Sequence, residues 1–315
     1  MKRSLFTFAA VLCICSILQA IVSRAETKDF EHVSFSYSLT PQDAEWAELS
    51  VAERRNACNL SSDIYLGMNT AELLQAILDY PFAVDIFAYN SPSEGIQRVE
   101  RFFPALKNLL KRSDASRVLT AYLDSHSDED AADNTFHVLL AETLLTEISH
   151  ANEGVRSIHD DEIIDTVNGV NVYGTPIYSL EDYNDTFGAN YTMAQLQAID
   201  QQSLQTYSSA TLWYSANPCY NCHSYAWYDQ SNTSNHHWLG SPSPYLGTRY
   251  YSVSSNSKAS GDRVYYSNAG HSAIIYYING SNVFVLSKWG ACGLFCHKLA
   301  DCPYSTSGIS YWRAQ

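Results

Sequence analysis

The sequence predicts an α+β fold in which a helical bundle is followed by a module of short strands and one short helix. Two patterns predict this arrangement. Over residues 69–152 apolar side chains recur at three- and four-residue spacing, which is typical of amphipathic helices. Beyond residue 205 the chain is rich in Tyr, Trp, Ser, Asn and Gly, a composition that favours strands and loops.

The charged residues divide the chain in the same way. Residues 191–315 contain Asp200, Asp229, Asp262 and Asp301 as their only acidic residues, whereas the whole chain has 33 and a net charge of −14. Such a break in composition indicates two modules with different surfaces. The acidic front half would repel phosphate, so nucleic acid is not expected as a partner.

The first 25 residues have the pattern of an export signal. Lys2 and Arg3 precede an apolar run at residues 5–22 that ends in Ser23-Arg24-Ala25, which predicts a secretory signal peptide cut after Ala25. A signal anchor is the alternative, but the run is marginal for a membrane span. The mature protein is therefore expected to be secreted or periplasmic, with no membrane contact after cleavage.

Four helices are expected in the front half. Thr70 is the expected N-cap of a helix at residues 71–78, and Ser113-Asp114 caps the third helix. The second and fourth helices are expected at residues 94–111 and 135–150. The bundle has no chemical motif, because its histidines lack convincing metal-ligand spacing.

The middle of the chain marks the expected domain boundaries. Residues 163–189 change to short strand-like pieces with turn signals at Asn168-Gly169 and Gly174-Thr175-Pro176. A helix at residues 192–207 follows. The expected organisation is a signal peptide at 1–25, an acidic helical domain at 26–155, a connector at 156–190 and a second domain at 191–315.

The residues that suggest chemistry begin at Asn221 and Cys222. Asn221 is a good N-cap, so Cys222 is expected in the first turn of a short helix that runs through Trp227. Unpaired N–H groups and the positive end of the helix dipole lower the pKa of a thiol at such a position. The alternatives are a disulfide between Cys219 and Cys222 or a buried, inert thiol.

A histidine opens a later strand. His271 begins an apolar run, and the turn at residues 279–281 returns the chain into residues 283–290, which predicts a hairpin. In thiol-dependent acyl transfer an imidazole takes the thiol proton, the thiolate attacks a carbonyl, and the imidazolium protonates the leaving amine. Cys222 and His271 are therefore the candidate pair, and a hydrogen-bonded structural histidine is the alternative for His271.

These motifs resemble a known family when taken in order. Asn-Cys-x-x-x-Ala at 221–226, Gly-Asp-x-Val-Tyr-Tyr at 261–266 and Gly-His-Ser-Ala-Ile at 270–274 resemble the NlpC/P60 and CHAP branch of the papain-like cysteine hydrolases. The resemblance covers residues 205–300 and none of the helical half. It implies a papain-like α+β domain that cleaves an amide, most often in cell-wall peptide, with Cys222 as nucleophile and His271 as general base.

The third polar residue departs from the family pattern. The family usually has His, Asn, Gln or Glu on the next strand, whereas this chain has Ser287-Lys288. Ser287-Lys288-Trp289-Gly290 is similar to the Asn-Ser-Trp-Gly of papain, with Ser287 in place of the orienting Asn. A three-residue turn would place Ser287 on the same face as His271, and a two-residue turn would place Lys288 opposite it. Ser287, its carbonyl or a residue from elsewhere is the expected orienting group.

The remaining parts of the site are expected close to these motifs. The N–H group of Cys222 is one donor of an oxyanion hole, and Asn217, Tyr214 and Asn221 are the candidates for the second. Trp227 and Trp289 are candidates for the substrate groove, where they would shield the pair from water. No cofactor or metal is expected.

Cysteine spacing leaves two further hypotheses. In an oxidising compartment Cys219 with Cys302, and Cys292 with Cys296, are the first disulfide candidates, and Cys58 is left unpaired. The rival is a zinc site at Cys219-x-x-Cys222 with His236-His237. It is disfavoured because adjacent histidines cannot easily bind one ion.

Two hypotheses concern partners. The expected partner is a peptide or peptidoglycan substrate, and the alternative is a catalytically silent, aromatic-rich module that binds glycan or peptide on the same fold. Intramolecular inhibition is a further hypothesis, in which the acidic helical module covers the slightly basic hydrolase face. It rests on the uneven charge distribution.

Overall fold

The computed structural model has an α+β fold and describes residues 35–126, 135–150, 163–167 and 170–315. The signal peptide expected at residues 1–25 and the turn expected at Asn168-Gly169 lie outside this range. Among the described residues, no helix has the length and apolar character needed to cross a bilayer.

The described part of the front half is helical. Its 3₁₀ helices are Ala44–Glu48 and Ala83–Ala88, and its α-helices are α1 (Val51–Ala57), α2 (Ser62–Gly67), α3 (Thr70–Leu78), α4 (Pro92–Val99), α5 (Pro104–Leu110), α6 (Ala115–Ser125) and α7 (Thr135–His150). Capping boxes at Ser50 and Asn69 start α1 and α3, since each side chain accepts a bond from the backbone N–H three residues later.

Two details of this half differ from the sequence expectation. The single helix expected at residues 94–111 is interrupted, because Pro104 has no N–H to donate and starts a new helix at its first position. The N-cap of α3 is Asn69 rather than Thr70, with Asn69 Oδ1 accepting from the Glu72 N–H at 2.9 Å. The helix at residues 135–150 is confirmed.

The rest of the chain mixes helices and strands. The helices are α8 (Leu180–Phe187), α9 (Met193–Thr206), α10 (Cys222–Trp227) and a 3₁₀ turn at Ser243–Tyr245. The strands are β1 (Ile163–Val167), β2 (Val170–Tyr173), β3 (Thr175–Pro176), β4 (Thr211–Tyr214), β5 (His237–Trp238), β6 (Tyr250–Val253), β7 (Arg263–Tyr266), β8 (His271–Asn279), β9 (Asn282–Lys288), β10 (Leu294–Lys298) and β11 (Ile309–Ala314).

Helix α8 lies where only short strands were expected. Ser179 caps it by accepting from the Asp182 N–H at 3.0 Å, and Gly188 ends it in the left-handed conformation. The helix expected at residues 192–207 is confirmed as α9, with Thr192 as its N-cap.

Seven strands form one antiparallel sheet in the order β4-β10-β9-β8-β7-β11-β6. The hairpin of β8 and β9 is confirmed, and its loop has two residues because Asn279 pairs with Asn282. A bulge between Ile275 and Tyr277 then shifts the register, so that Ile274 pairs with Leu286. Ser287 therefore stands on the same face of the sheet as His271 despite the two-residue loop.

Both faces of the sheet are covered. Val264, Ala273, Val285 and Phe295 lie in the main core together with the helical front half. The intervening residues pack against α10 and its neighbours; they include Ile274, Leu286 and Leu294. Because side chains alternate along a strand, the sheet lies between α10 and the helical half.

One hydrophobic core runs through both halves of the described chain. Buried polar contacts join them as well: Arg54 pairs with Asp301, and the Trp46 indole N–H donates to the Thr206 carbonyl at 2.8 Å. The domain boundaries expected at 155 and 190 stay predictions, and the described parts of the two halves share this core.

Candidate active site

Helix α10 places Cys222 at its first position. The predicted N-cap is confirmed, since Asn221 Oδ1 accepts from the Ser224 N–H at 3.0 Å. The N–H group of Cys222 has no partner within the helix, as is general for the first turn. The nucleophile candidate therefore sits beside a backbone donor that the helix itself does not use.

His271 is the first residue of β8 and is completely buried. The Tyr304 ring stacks on the imidazole with a centroid distance of 3.4 Å and an angle of 9° between the planes. Neither ring nitrogen has a hydrogen-bond partner among the described residues. Stacking holds the ring, and both nitrogens remain available for proton exchange.

One cavity brings Cys222 and His271 together. It is narrow, with room for about one water molecule. Its other wall residues come from four separate parts of the chain: Ala88, Tyr89, Asn90, Glu94, Gly270, Gly290 and Tyr304. Of the wall residues, Asn90, Glu94 and Gly270 are partly exposed and the others named here are buried, so the mouth lies on their side.

The helical half forms one wall of this cavity by direct backbone contact. A Cβ atom on Gly290 would lie 2.5 Å from the Tyr89 carbonyl oxygen and 2.6 Å from that of Phe87. Gly290 also has a positive φ of 54°, which favours glycine. The Tyr304 hydroxyl donates to the Ala88 carbonyl from the same side. Residues 87–90 are thus fixed against the strands that carry the pair.

Burial controls the state of the thiol. It raises the pKa of Cys222 to about 12, although the backbone N–H groups of Ser272 and His223 donate to the sulfur and act in the opposite direction. The nearby Glu94 carboxylate raises the pKa further. The expectation of a lowered pKa is therefore corrected: the helix N-terminus supplies the donors, but loss of solvent outweighs them.

The imidazole is neutral in this closed site. Burial holds the pKa of His271 well below its usual value, and repulsion by His223 and His297 lowers it further. At neutral pH the site therefore holds a protonated thiol beside an imidazole that can accept a proton.

His223 is next to the thiol but is already bonded. Its Nδ1 lies 2.8 Å from the Ser272 hydroxyl, and its ring also bonds the Gly270 carbonyl. Burial lowers the pKa of His223 to about 4. His223 therefore fixes α10 on β8, and His271 is the histidine with free nitrogens.

Ser287 does not orient His271. Its hydroxyl lies 2.7 Å from His297 Nε2 and accepts from the Trp289 indole N–H at 2.8 Å. Ser287 does lie on the same face of the sheet as His271, as predicted. Its hydroxyl, however, is bonded to His297 and Trp289. The orienting contact comes from Tyr304 instead.

The three sequence candidates for the second oxyanion donor are also displaced from the cavity wall. Asn221 caps α10 and donates to the Leu239 carbonyl at 2.8 Å. Asn217 donates to the Asn232 carbonyl at 2.8 Å. Tyr214 is 48% exposed on the edge strand β4, three strands away from β8.

Trp227 and Trp289 are not among the wall residues of this cavity. Each is 1% exposed. The Trp227 indole donates to the Ser272 hydroxyl at 2.7 Å, and Trp289 stacks on Phe295. Both are core residues that support the strands of the site.

The Gly-Asp motif has a structural part in this fold. Asp262 is buried and binds the Arg313 guanidinium with both carboxylate oxygens, at 2.7 and 2.8 Å. This pair joins the start of β7 to the C-terminal strand β11.

The expected disulfides are not formed, since all six described cysteines are free. Cys292 lies in the main core and Cys296 lies in the cluster on the opposite face of the sheet. Cys302 is buried and donates to the carbonyls of Leu299 and Tyr304, whereas Cys219 is partly exposed.

The zinc alternative lacks a ligand cluster. Within the described ranges no group of three His, Cys, Asp or Glu residues could hold a metal ion. Cys222 shares its cavity with His271, and His236-His237 are not part of its wall.

No family model, no curated protein and no solved structure matches this chain. The chemistry of the cavity is therefore the basis for assigning a function.

Proposed function

We propose that this protein is a secreted thiol amidase or peptidase with a papain-like arrangement, in which Cys222 is the nucleophile and His271 the general base. The single observation that carries the proposal is the shared cavity. A thiol at a helix N-terminus and a histidine with two free ring nitrogens face the same small space. Nucleophilic catalysis by cysteine requires these two groups together.

The reaction proceeds by acyl transfer. His271 accepts the thiol proton as Cys222 sulfur bonds to the substrate carbonyl carbon. The resulting imidazolium gives that proton to the leaving nitrogen as the C–N bond breaks, which leaves a thioester on Cys222. Water then attacks the thioester, His271 takes its proton, and the thiol re-forms as the acid product departs.

Because the pKa of the Cys222 thiol is raised, the substrate is needed to activate the nucleophile. In the closed cavity, proton transfer from a thiol of pKa about 12 to a buried imidazole is unfavourable. A substrate that enters through the partly exposed side brings its carbonyl dipole into the cavity. The thiolate and the imidazolium therefore form only when a substrate carbonyl is present.

The substrate class follows from the resemblance of residues 205–300 to NlpC/P60 and CHAP enzymes, which favours an amide in cell-wall peptide. The export pattern at residues 1–25 is consistent with such a substrate, since peptidoglycan lies outside the cytoplasm. Inhibition by the helical half is confined in this proposal to residues 88–90 and Glu94, which narrow the cavity.

The test uses soluble peptidoglycan fragments and the purified chain. New amino groups are followed by mass spectrometry in the unmodified chain, in Cys222→Ala and in Cys296→Ala, a matched cysteine substitution outside the cavity. We expect cleavage by the unmodified chain and by Cys296→Ala, and none by Cys222→Ala. Cleavage that persists in Cys222→Ala would contradict the proposed nucleophile.

A silent binding module is the second candidate. The narrow cavity and the high thiol pKa favour it, and exposed aromatic side chains of the described sheet supply a surface for stacking: Trp213, Tyr214, Tyr276 and Tyr277. It predicts that the chain and Cys222→Ala retain the same fragments with equal affinity and cleave none of them.

A further inference from the structure

We infer that Asn90, from the helical half, supplies the second hydrogen-bond donor to the oxyanion during acyl transfer at Cys222. This inference rests on the proposed function and adds a catalytic residue to it. A tetrahedral intermediate puts negative charge on the former carbonyl oxygen, and a site that forms it needs donors placed in advance.

Asn90 lies at the required place. It lines the same cavity as Cys222 and His271, on the partly exposed side where a carbonyl enters. The N–H group of Cys222 is the first donor because it has no partner within α10. A second donor must come from another wall residue, and Asn90 is the amide side chain among them.

A hydrogen bond fixes which way the Asn90 amide points. Asn90 Oδ1 accepts from Asn221 Nδ2 at 3.2 Å, and Asn221 is the residue that caps α10 and precedes the nucleophile. With Oδ1 held in this way, the Nδ2 group is the free end of the amide. Among the described residues Nδ2 has no hydrogen-bond acceptor, so its donors are available to a ligand.

The backbone that carries Asn90 is held firmly. Gly290 contacts the Phe87 and Tyr89 carbonyls, and the Tyr304 hydroxyl donates to the Ala88 carbonyl. Gly95 of α4 approaches the Ile86 carbonyl so closely that a Cβ would lie 1.8 Å from it. These contacts position the donor before the substrate arrives, which is what makes an oxyanion hole effective.

The helical half is then part of the catalytic site rather than only a cover over it. Its acidic Glu94 narrows the cavity and disfavours the thiolate, while its Asn90 favours the tetrahedral intermediate. Removing the helical half would remove both the unfavourable effect of Glu94 on the thiolate and the favourable effect of Asn90 on the intermediate.

Two reactions of the Cys222 thiol distinguish the oxyanion-donor role of Asn90 from the nucleophile and base roles of Cys222 and His271. Acetylation of Cys222 by p-nitrophenyl acetate passes through an oxyanion: sulfur bonds to the carbonyl carbon, p-nitrophenolate leaves with the electron pair, and His271 takes the thiol proton. Alkylation by iodoacetamide displaces iodide at carbon and forms no oxyanion. Both products are located by peptide mass spectrometry in the folded chain.

We expect Asn90→Ala to acetylate Cys222 on the order of 10²-fold more slowly, which is typical for loss of one oxyanion donor. Its alkylation rate at Cys222, and its selectivity over buried Cys58 and Cys302, should match the unmodified chain. Asn217→Ala, the same substitution at a residue bonded elsewhere, should change neither reaction.

Three results would overturn the inference. Equal acetylation rates in Asn90→Ala and the unmodified chain would exclude the donor role. A parallel loss of acetylation and alkylation would mean that Asn90 supports the thiol or the fold instead. If the unmodified chain is alkylated at Cys222 but never acetylated there, the hydrolase function itself is contradicted. This outcome requires no variant.

Discussion

The contact between His271 and Tyr304 takes the place that a polar side chain was expected to fill. A ring stacked at 3.4 Å restricts imidazole rotation as a hydrogen bond would, but it leaves both nitrogens free. An aromatic face also attracts a cation, so it favours the imidazolium that forms when the thiol is deprotonated. Under the proposed function, Tyr304 is therefore a positioning residue that also assists proton transfer.

Two substitutions at Tyr304 separate the ring from its hydroxyl. Tyr304→Phe keeps the stacked ring and loses only the bond to the Ala88 carbonyl, whereas Tyr304→Leu removes the aromatic face. We expect Cys222 acetylation to fall about tenfold more in the Leu variant than in the Phe variant, within the range of a cation–π contribution. The apparent pKa of the base should also fall in Tyr304→Leu, because the imidazolium loses its aromatic neighbour. Equal losses without a pKa change would reject this role.

Buried histidines give the fold a pH dependence. Burial lowers the pKa of His297 to about 4, with its Lys298 carbonyl bond and Asp301 acting in the opposite direction. The unfolded chain therefore binds more protons than the folded chain between about pH 6.5 and pH 4, and stability falls as pH falls through that window. Asp200, whose pKa burial raises to about 6, acts with the opposite sign, so a variant comparison is needed.

His297→Gln isolates the contribution of one histidine. The free energy of unfolding in urea is measured at about pH 7.5 and about pH 5, and the loss between them should be about 2 kcal/mol smaller in the variant than in the unmodified chain. Asn256→Gln, at an exposed residue without a titratable side chain, is the control and should keep the full loss. An unchanged loss in His297→Gln would contradict a buried neutral His297.

At the scale of elements, local signals located the parts of the site that lie on one element. Asn221 before Cys222 predicted α10, and the apolar alternation after His271 predicted β8 and its hairpin. Regular spacing of apolar residues predicted α7. Pro104 marks the break between α4 and α5, because a proline inside a helical pattern interrupts the helix.

Other elements and contacts depend on packing and had no local signal. Helix α8 has few apolar residues, so its sequence shows no clear helical periodicity. The N-cap Ser179 and the terminal Gly188 are the residues that indicate a helix there. Asn90 and Tyr304 line the same cavity, although Asn90 lies just before α4 and Tyr304 lies after β10. Contacts between residues so far apart along the chain leave no local pattern in the sequence. Asn90 and Asn221, for example, are separated by 131 positions.

The approach of α4 to the preceding 3₁₀ helix requires glycine. A Cβ on Gly95 would collide with the Ile86 carbonyl, so Gly95→Ala should destabilise the fold by about 1–3 kcal/mol or more. Gly67→Ala is the matched control, because a Cβ there meets no atom within 4 Å and alanine should add about 0.4–1 kcal/mol to stability by restricting the unfolded chain. Urea unfolding measures both, and equal effects of the two substitutions would contradict the close packing of α4.

At the scale of the whole molecule, the helical half and the sheet share one core. The face of the sheet that carries Val264 and Val285 packs in one core with the front half, and Arg54 is the buried partner of Asp301. Removing one member of a buried ion pair costs about 3–5 kcal/mol because the other charge is left unpaired. The two halves are thus expected to fold together.

Residues 191–315 expressed alone should therefore fail to fold. We expect no near-ultraviolet circular dichroism signal and no cooperative urea transition, because the exposed face of the sheet has lost its apolar partners. A fragment that unfolds cooperatively and acetylates Cys222 faster than the full chain would contradict the shared core and support simple inhibition by the helical half.

We propose that Cys222 and His271 act as a nucleophile and its base. The most direct measurement is the rate of Cys222 acetylation by p-nitrophenyl acetate in the full chain, with the modified residue identified by mass spectrometry. Acetylation should occur at Cys222, fall by about 10²-fold or more in His271→Ala, and stay unchanged in His126→Ala. Acetylation spread over the other cysteines, or a Cys222 rate that His271→Ala leaves intact, would contradict the account.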